Sequence, residues 1–66
     1  MYGEKLRRLR ESKNLTVRML ATLVGVSAGQ ISRYENEVNE PTLGILTKYK
    51  NIFGVTLDYL CDDEEE

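Results

Sequence analysis

Histidine is absent from this 66-residue chain and cysteine occurs once, as Cys61. Without an imidazole, and with a single thiol, the sequence excludes a Cys/His metal cluster, a His-based catalytic pair and an internal disulfide. No apolar run approaches the roughly 20 residues of a membrane span, and the amino end has no signal-peptide apolar stretch. No segment alternates apolar and polar residues with β-branched enrichment, so no strands are expected. The length fits one domain and excludes a two-domain enzyme, and a domain of this size buries only about 60% of its unfolded surface. No cofactor and no enzymatic activity are expected. Cys61 beside Leu60 reads as a small buried hydrophobe suited to a reducing cytoplasm.

What is present is 41% hydrophobic and 30% charged residues, the balance of a soluble globule. The expected stability is about 3 to 10 kcal/mol on the usual per-residue scale. The net charge of −2 conceals a segregation. Asp62 to Glu66 contribute −5, so residues 1–60 carry nine bases against six acids, or +3. Residues 1–18 are more basic still: Lys5, Arg7, Arg8, Arg10, Lys13 and Arg18 face only Glu4 and Glu11, giving +4. That end of the domain attracts a polyanion. The acidic tail, 61–66, lacks the spaced ligand loop of a calcium site and reads as a solvated end beyond the 1–60 domain.

Helix signals divide the domain into five short segments. Tyr2, Leu6 and Leu9 recur at helical spacing among charges, which predicts a helix over 2–12. Thr16 caps a second helix with Leu20, Leu23 and Val24 on its apolar face and the small Ala21 admitting a close neighbour. Gly25 ends it, with Val26 packing back over the last turn, and Ser27 restarts the chain at once. Ser27 and Gln30 have capping-box spacing, so the Gln30 side chain is assigned to the cap rather than to a ligand.

The third helix turns Ile31 and Tyr34 inward and Gly29, Ser32, Arg33 and Asn36 outward, with Ala28 at the flank. After a polar loop ending at Pro41, Thr42 caps a fourth helix with Leu43, Leu46, Tyr49 and Phe53 inward. Gly54, Val55 and Thr56 repeat the stop-and-restart device before a last helix carrying Leu57 and Leu60. The fold class is all-α.

A helix with a small residue at its middle, a glycine turn, and a second helix with an aliphatic and then a bulky inward residue form the helix-turn-helix pattern, here Ala21, Gly25, Ile31 and Tyr34 within about 16–36. The surrounding residues, Leu15-Thr16, Leu20-Ala21, Gly25-Val26-Ser27, Ile31 to Asn36, Pro41-Thr42-Leu43 and Gly54 to Asp58, closely resemble the Cro/cI-type (XRE-like) repressor family over nearly all of residues 4–60. The resemblance implies a compact five-helix lambda-repressor-like domain, of prokaryotic or phage origin and cytoplasmic. It implies a sequence-specific regulator, a repressor by promoter occlusion, that binds operator DNA as a homodimer on half-sites about one duplex turn apart.

Carried over residue by residue, the base-contacting positions are Ala28, Gly29, Ser32 and Arg33. Arg33 is the leading one, because a guanidinium fork matches the O6/N7 edge of guanine; its alternative is a phosphate contact or a solvated cation. Phosphate contacts fall to Thr16, Arg18, Ser27, Asn36 and Arg10. Arg18 places a cation in a first helical turn, against the helix dipole by roughly 0.3 to 1 kcal/mol, which a phosphate would offset; its alternative is an exposed and merely tolerated charge. Arg10 and Glu35 match a family ion pair between the first helix and the end of the third. Ile45, Tyr49, Ile52 and Tyr59 are the candidate dimer surface, with core burial as their alternative.

Three departures from the family pattern remove positive charge or phosphate donors: Val17 where glutamine is common, Glu37 where glycine often ends the recognition helix, and Val38 and Glu40 in a usually basic loop. Fewer phosphate contacts are therefore expected. The competing reading is a protein-interaction module on the same fold, binding another regulator through the acidic loop and the apolar face of the fourth helix.

Overall fold

The computed structural model describes residues 3–61, with side chains to residue 60. Tyr2, the Cys61 side chain and the acidic tail lie outside the described residues. Five helices follow in order: α1 (Gly3–Ser12), α2 (Val17–Val24), α3 (Ala28–Glu35), α4 (Leu43–Phe53) and α5 (Leu57–Cys61). Among the described residues there are no strands, and no helix is long and apolar enough to cross a membrane.

The helix starts are the expected ones. Thr16, Ser27 and Thr42 have extended backbones, and their hydroxyl oxygens accept from the N–H groups of Met19, Gln30 and Ile45. Each hydroxyl thereby satisfies one of the amides that a first turn leaves unpaired. Thr56 Oγ1 likewise accepts from Tyr59 N at 3.0 Å at the start of α5.

The helix ends share one device. After α1, α2, α3 and α4 a single residue turns into the left-handed region: Asn14 (φ 56°), Gly25 (φ 89°), Glu37 (φ 63°) and Gly54 (φ 67°). In each case the next residue's N–H reaches back to a carbonyl of the last turn, Leu15 to Arg10, Val26 to Ala21, Val38 to Arg33 and Val55 to Lys50. Glycine enters this region freely, whereas a side chain costs about 1 to 2 kcal/mol there. Asparagine tolerates it better than most, and only Glu37 is an uncommon occupant.

Glu37 is offset by what its side chain does. Its Oε2 accepts from Gly3 N at 3.1 Å, setting a carboxylate on the positive end of α1. The approach is close enough that a Cβ on Gly3 would lie 2.5 Å from Glu37 Cγ and 2.6 Å from the Glu35 carbonyl oxygen. Gly3 is thus needed for proximity, and it fastens the start of α1 to the end of α3.

Leu6, Leu20, Ala21, Val24, Ile31, Tyr34, Leu46, Tyr49 and Leu60 form the buried core, drawn from all five helices. Phe53 is partly buried and tilts against Tyr49 with ring centroids 5.8 Å apart. Two expected inward residues face out: Leu23 is 55% exposed and Leu43 67%. Helical geometry advances about 100° per residue, so Leu23 is carried well round from Val24, and α2 buries a narrower arc than its apolar content suggests. Leu43 is the first residue of α4, and the buried positions of that helix begin a turn later, at Leu46. Tyr49 is expected both inward on the fourth helix and as a candidate dimer residue, and the first of these holds. It is 0% exposed, so it belongs to the core and not to a dimer surface.

The Tyr49 hydroxyl is buried without a hydrogen-bond partner among the described residues. Its pKa stands well above the ordinary phenol value, first because burial disfavours the phenolate and then because Glu35 is near.

Candidate nucleic-acid interface

Only Gly25, Val26 and Ser27 separate α2 from α3, and Gly25 N and Val26 N both donate to Ala21 O, at 2.8 and 3.0 Å. A joint this short forces α3 to cross α2 sharply and pushes one face of α3 out of the body of the domain. Gly29, Ser32, Arg33 and Asn36 are all exposed on that face, and helical spacing collects them into an arc of about 100°. Ala28 is half-buried and packs at the margin of the core. The outward arc is therefore short-sided except for one guanidinium. It presents no bulky obstacle to a groove and a single strong multi-donor group.

Arg33 Nη1 donates to Gln30 Oε1 at 3.2 Å, and Gln30 Nε2 donates to Tyr34 Oη at 3.2 Å. This corrects the expected cap. Ser27 Oγ does accept from Gln30 N at 3.1 Å, but the Gln30 side chain runs away from Ser27 along the helix. The tyrosine hydroxyl and the arginine between them offer it both an acceptor and a donor, which Ser27 N alone does not match.

At the other end of α3, Arg10 clasps Glu35 with both prongs of its guanidinium, Nε to Oε2 at 2.7 Å and Nη2 to Oε1 at 3.0 Å. Nη1 donates to Leu15 O at 2.9 Å, so the same arginine closes the α1–α2 connection. The two side chains are 13% and 3% exposed. The Arg10 pKa is raised, the hydrogen bond to Glu35 outweighing desolvation. Arg10 is thus placed as the internal pair that the resemblance implied, with little of it left at the surface for a phosphate.

The open cation on that side is Arg7, which the sequence reading passed over. Its Nη2 donates to Asn36 Oδ1 at 2.8 Å and its Nε lies 3.5 Å from Glu35 Oε1. Asn36 Nδ2 reaches Ser32 Oγ at 3.4 Å. The available signal was spacing: Arg7 stands three residues before Arg10, hence on the same face of α1.

At the start of α2, Thr16 Oγ1 accepts from Met19 N at 3.0 Å, and its own proton remains free to donate. Arg18 projects from this first turn, exposed and without a partner among the described residues. Val17, where the family often has glutamine, instead packs against the core. Of the remaining candidates, Ile45 and Ile52 are half-buried and Tyr59 is exposed, with Lys5 Nζ 4.4 Å above its ring.

Comparison with known proteins places this geometry. A helix-turn-helix family model matches residues 6–60. The chain is 38% identical over 60 residues to YonR, an SPbeta prophage-derived HTH-type transcriptional regulator of Bacillus subtilis, covering 91% of this chain and 56% of the relative. It is 39% identical over 64 residues to the HTH-type transcriptional activator BcrR of Enterococcus faecalis, covering 97% of this chain and 31% of that one. The chain thus spans little more than half the length of the first relative and a third of the second. Among solved structures, SinR, the master regulator for biofilm formation, in complex with DNA superposes with a TM-score of 0.85 at 25% identity, covering 94% of this chain and all of SinR as resolved there. Family model, relatives and five-helix architecture agree, and the chain belongs to the XRE-type helix-turn-helix family of transcriptional regulators.

Proposed function

We propose that this domain binds duplex DNA sequence-specifically, laying α3 in the major groove so that Arg33 reads a guanine and Gly29, Ser32 and the margin at Ala28 lie against neighbouring base edges. The observation that carries this reading is the outward arc of α3, small-sided around one guanidinium and held out by a three-residue turn. The likeness to SinR in complex with DNA supports it. Thr16, Arg18, Ser27 and Asn36, joined by Arg7, are the phosphate-facing groups. Residues 3–60 carry +3 despite the negative total, so attraction to the backbone is local.

Two copies bind adjacent half-sites, with Ile45, Ile52 and Tyr59 toward each other, and a bound pair represses by occluding a promoter. Relatedness to an activator makes the sign of regulation a matter for a promoter-fusion assay, in which repression predicts lower reporter output with the intact chain than without it.

The test of binding is selection from random duplexes followed by a salt series. Log affinity falls linearly with log salt, and Arg18→Ala lowers that slope by about 1 while leaving the selected sequence unchanged. Arg33→Ala relaxes preference at one base pair, by about 1 to 3 kcal/mol. Failure to enrich any duplex at low salt refutes the reading. It would favour a protein-binding module, for which the exposed Val38 and Leu43 beside Glu40 are the apposite surface.

A further inference from the structure

The Gln30 side chain has no part in the cap, and both of its polar ends are engaged within α3. Its oxygen must face Arg33, since a guanidinium offers only donors, and this turns its NH2 toward Tyr34 Oη. Tyr34 is only 4% exposed, so one end of the chain is anchored in the core while the other is an exposed arginine. An arginine otherwise explores many rotamers, and ordering it on binding costs affinity. Bidentate contact with guanine uses two of the five guanidinium N–H groups, so the bond to Gln30 can persist on DNA.

We propose that Gln30 is a positioning residue for base recognition, held by Tyr34 and holding Arg33 in its groove-facing geometry before a duplex arrives. Gln30 sets how strongly the Arg33 base pair is preferred without touching that pair. The inference rests on the reading of Arg33 as a base contact. Gln30 itself is half-buried at the edge of the outward arc, and each end of its amide already holds one partner within α3.

The experiment uses the intact chain and two duplexes: the selected site, and the same site with the Arg33-dependent base pair exchanged. The readout is the affinity ratio between them, alongside the salt slope and the thermal midpoint. Arg33→Ala abolishes the ratio. Gln30→Ala and Tyr34→Phe each reduce it about three- to tenfold at that same base pair, the range given by one side chain's loss of pre-ordering, with the salt slope unchanged. Gln30→Glu retains an acceptor for Arg33 and can accept from the tyrosine hydroxyl, so it restores the ratio to within about twofold. A purely structural role moves the midpoint and not the ratio. An unchanged ratio in Gln30→Ala, with Arg33→Ala still disruptive, overturns the positioning role alone. Loss of preference at a different base pair overturns it too, making Gln30 a direct reader. An unchanged ratio in Arg33→Ala instead overturns the underlying assignment of Arg33.

Discussion

Removing one partner of the Arg10–Glu35 pair should cost this domain much of its stability, and replacing both should cost less. Glu35 is 3% exposed and accepts two hydrogen bonds from Arg10 at 2.7 and 3.0 Å. Arg10→Ala strips both bonds, leaves a poorly solvated carboxylate with only Arg7 Nε, 3.5 Å away, as its ionic partner among the described residues, and frees the Leu15 carbonyl that Arg10 also holds. Loss of one member of a buried pair costs about 3 to 5 kcal/mol. Against a total of about 3 to 10 kcal/mol for a chain of this length, that is most or all of the stability. Glu35→Ala leaves the arginine less isolated, because the guanidinium lies nearer solvent, so its cost belongs at the lower end. Arg10→Met with Glu35→Leu replaces both charges by apolar volume and should cost less than either single change. Urea titration followed by far-ultraviolet circular dichroism measures all four chains. Single variants within about 1 kcal/mol of the parent, or a double variant that costs more than either single change, would refute the reasoning and make the pair an ordinary surface bridge.

Four further outcomes follow from the fold. Tyr49→Phe removes a buried hydroxyl that has no partner among the described residues and should raise stability by about 1 kcal/mol; a loss of that size in the same titration would show the hydroxyl to be bonded. Since burial raises the Tyr49 pKa in the folded state, the unfolded chain loses its proton first. Stability from this group is therefore complete below about pH 10 and falls at higher pH by up to about 1.4 kcal/mol per unit, a fall the Phe variant should lack. Glu37→Gly should be near neutral, exchanging relief of the left-handed backbone for loss of the α1 cap, whereas Glu37→Ala loses the cap and keeps the strain. The two should differ by about 1 kcal/mol in thermal denaturation, and equal values would contradict the observed φ. Gly3→Ala should destabilise by about 1 to 3 kcal/mol despite alanine's helix preference, because its methyl meets the Glu35 carbonyl; a raised midpoint would show that the contact relaxes freely.

The parts of this fold that were legible in the sequence are those decided within one helical turn. Thr16, Ser27 and Thr42 start helices, and Gly25 and Gly54 stop them, because a hydroxyl or a missing Cβ acts on amides and dihedrals nearby. The outward arc of α3 followed from the inward placement of Ile31 and Tyr34. What escaped depends on the approach of a second element. Periodicity gives the direction of an apolar face but not its width, so Leu23 and Leu43 were placed inside. Tyr49 fits two spacings, with Leu46 and Phe53 toward the core or with Ile45 and Ile52 toward a partner, and packing decides for the first. Glu37 looked like a lost positive footprint, yet its left-handed turn and its bond to Gly3 require α1 to lie beside it. Its spacing from Ser27 assigns Gln30 to the cap, and the Tyr34 hydroxyl, one helical turn on, takes its NH2 instead.

The three-residue joint between α2 and α3 has a wider consequence. Two of its three amides are tied to Ala21 O, which restrains any tilt of α3 against α2. On the proposed reading, discrimination would come from exchanging the few side chains on this probe, and misfit in the target would be absorbed by bending of the duplex itself.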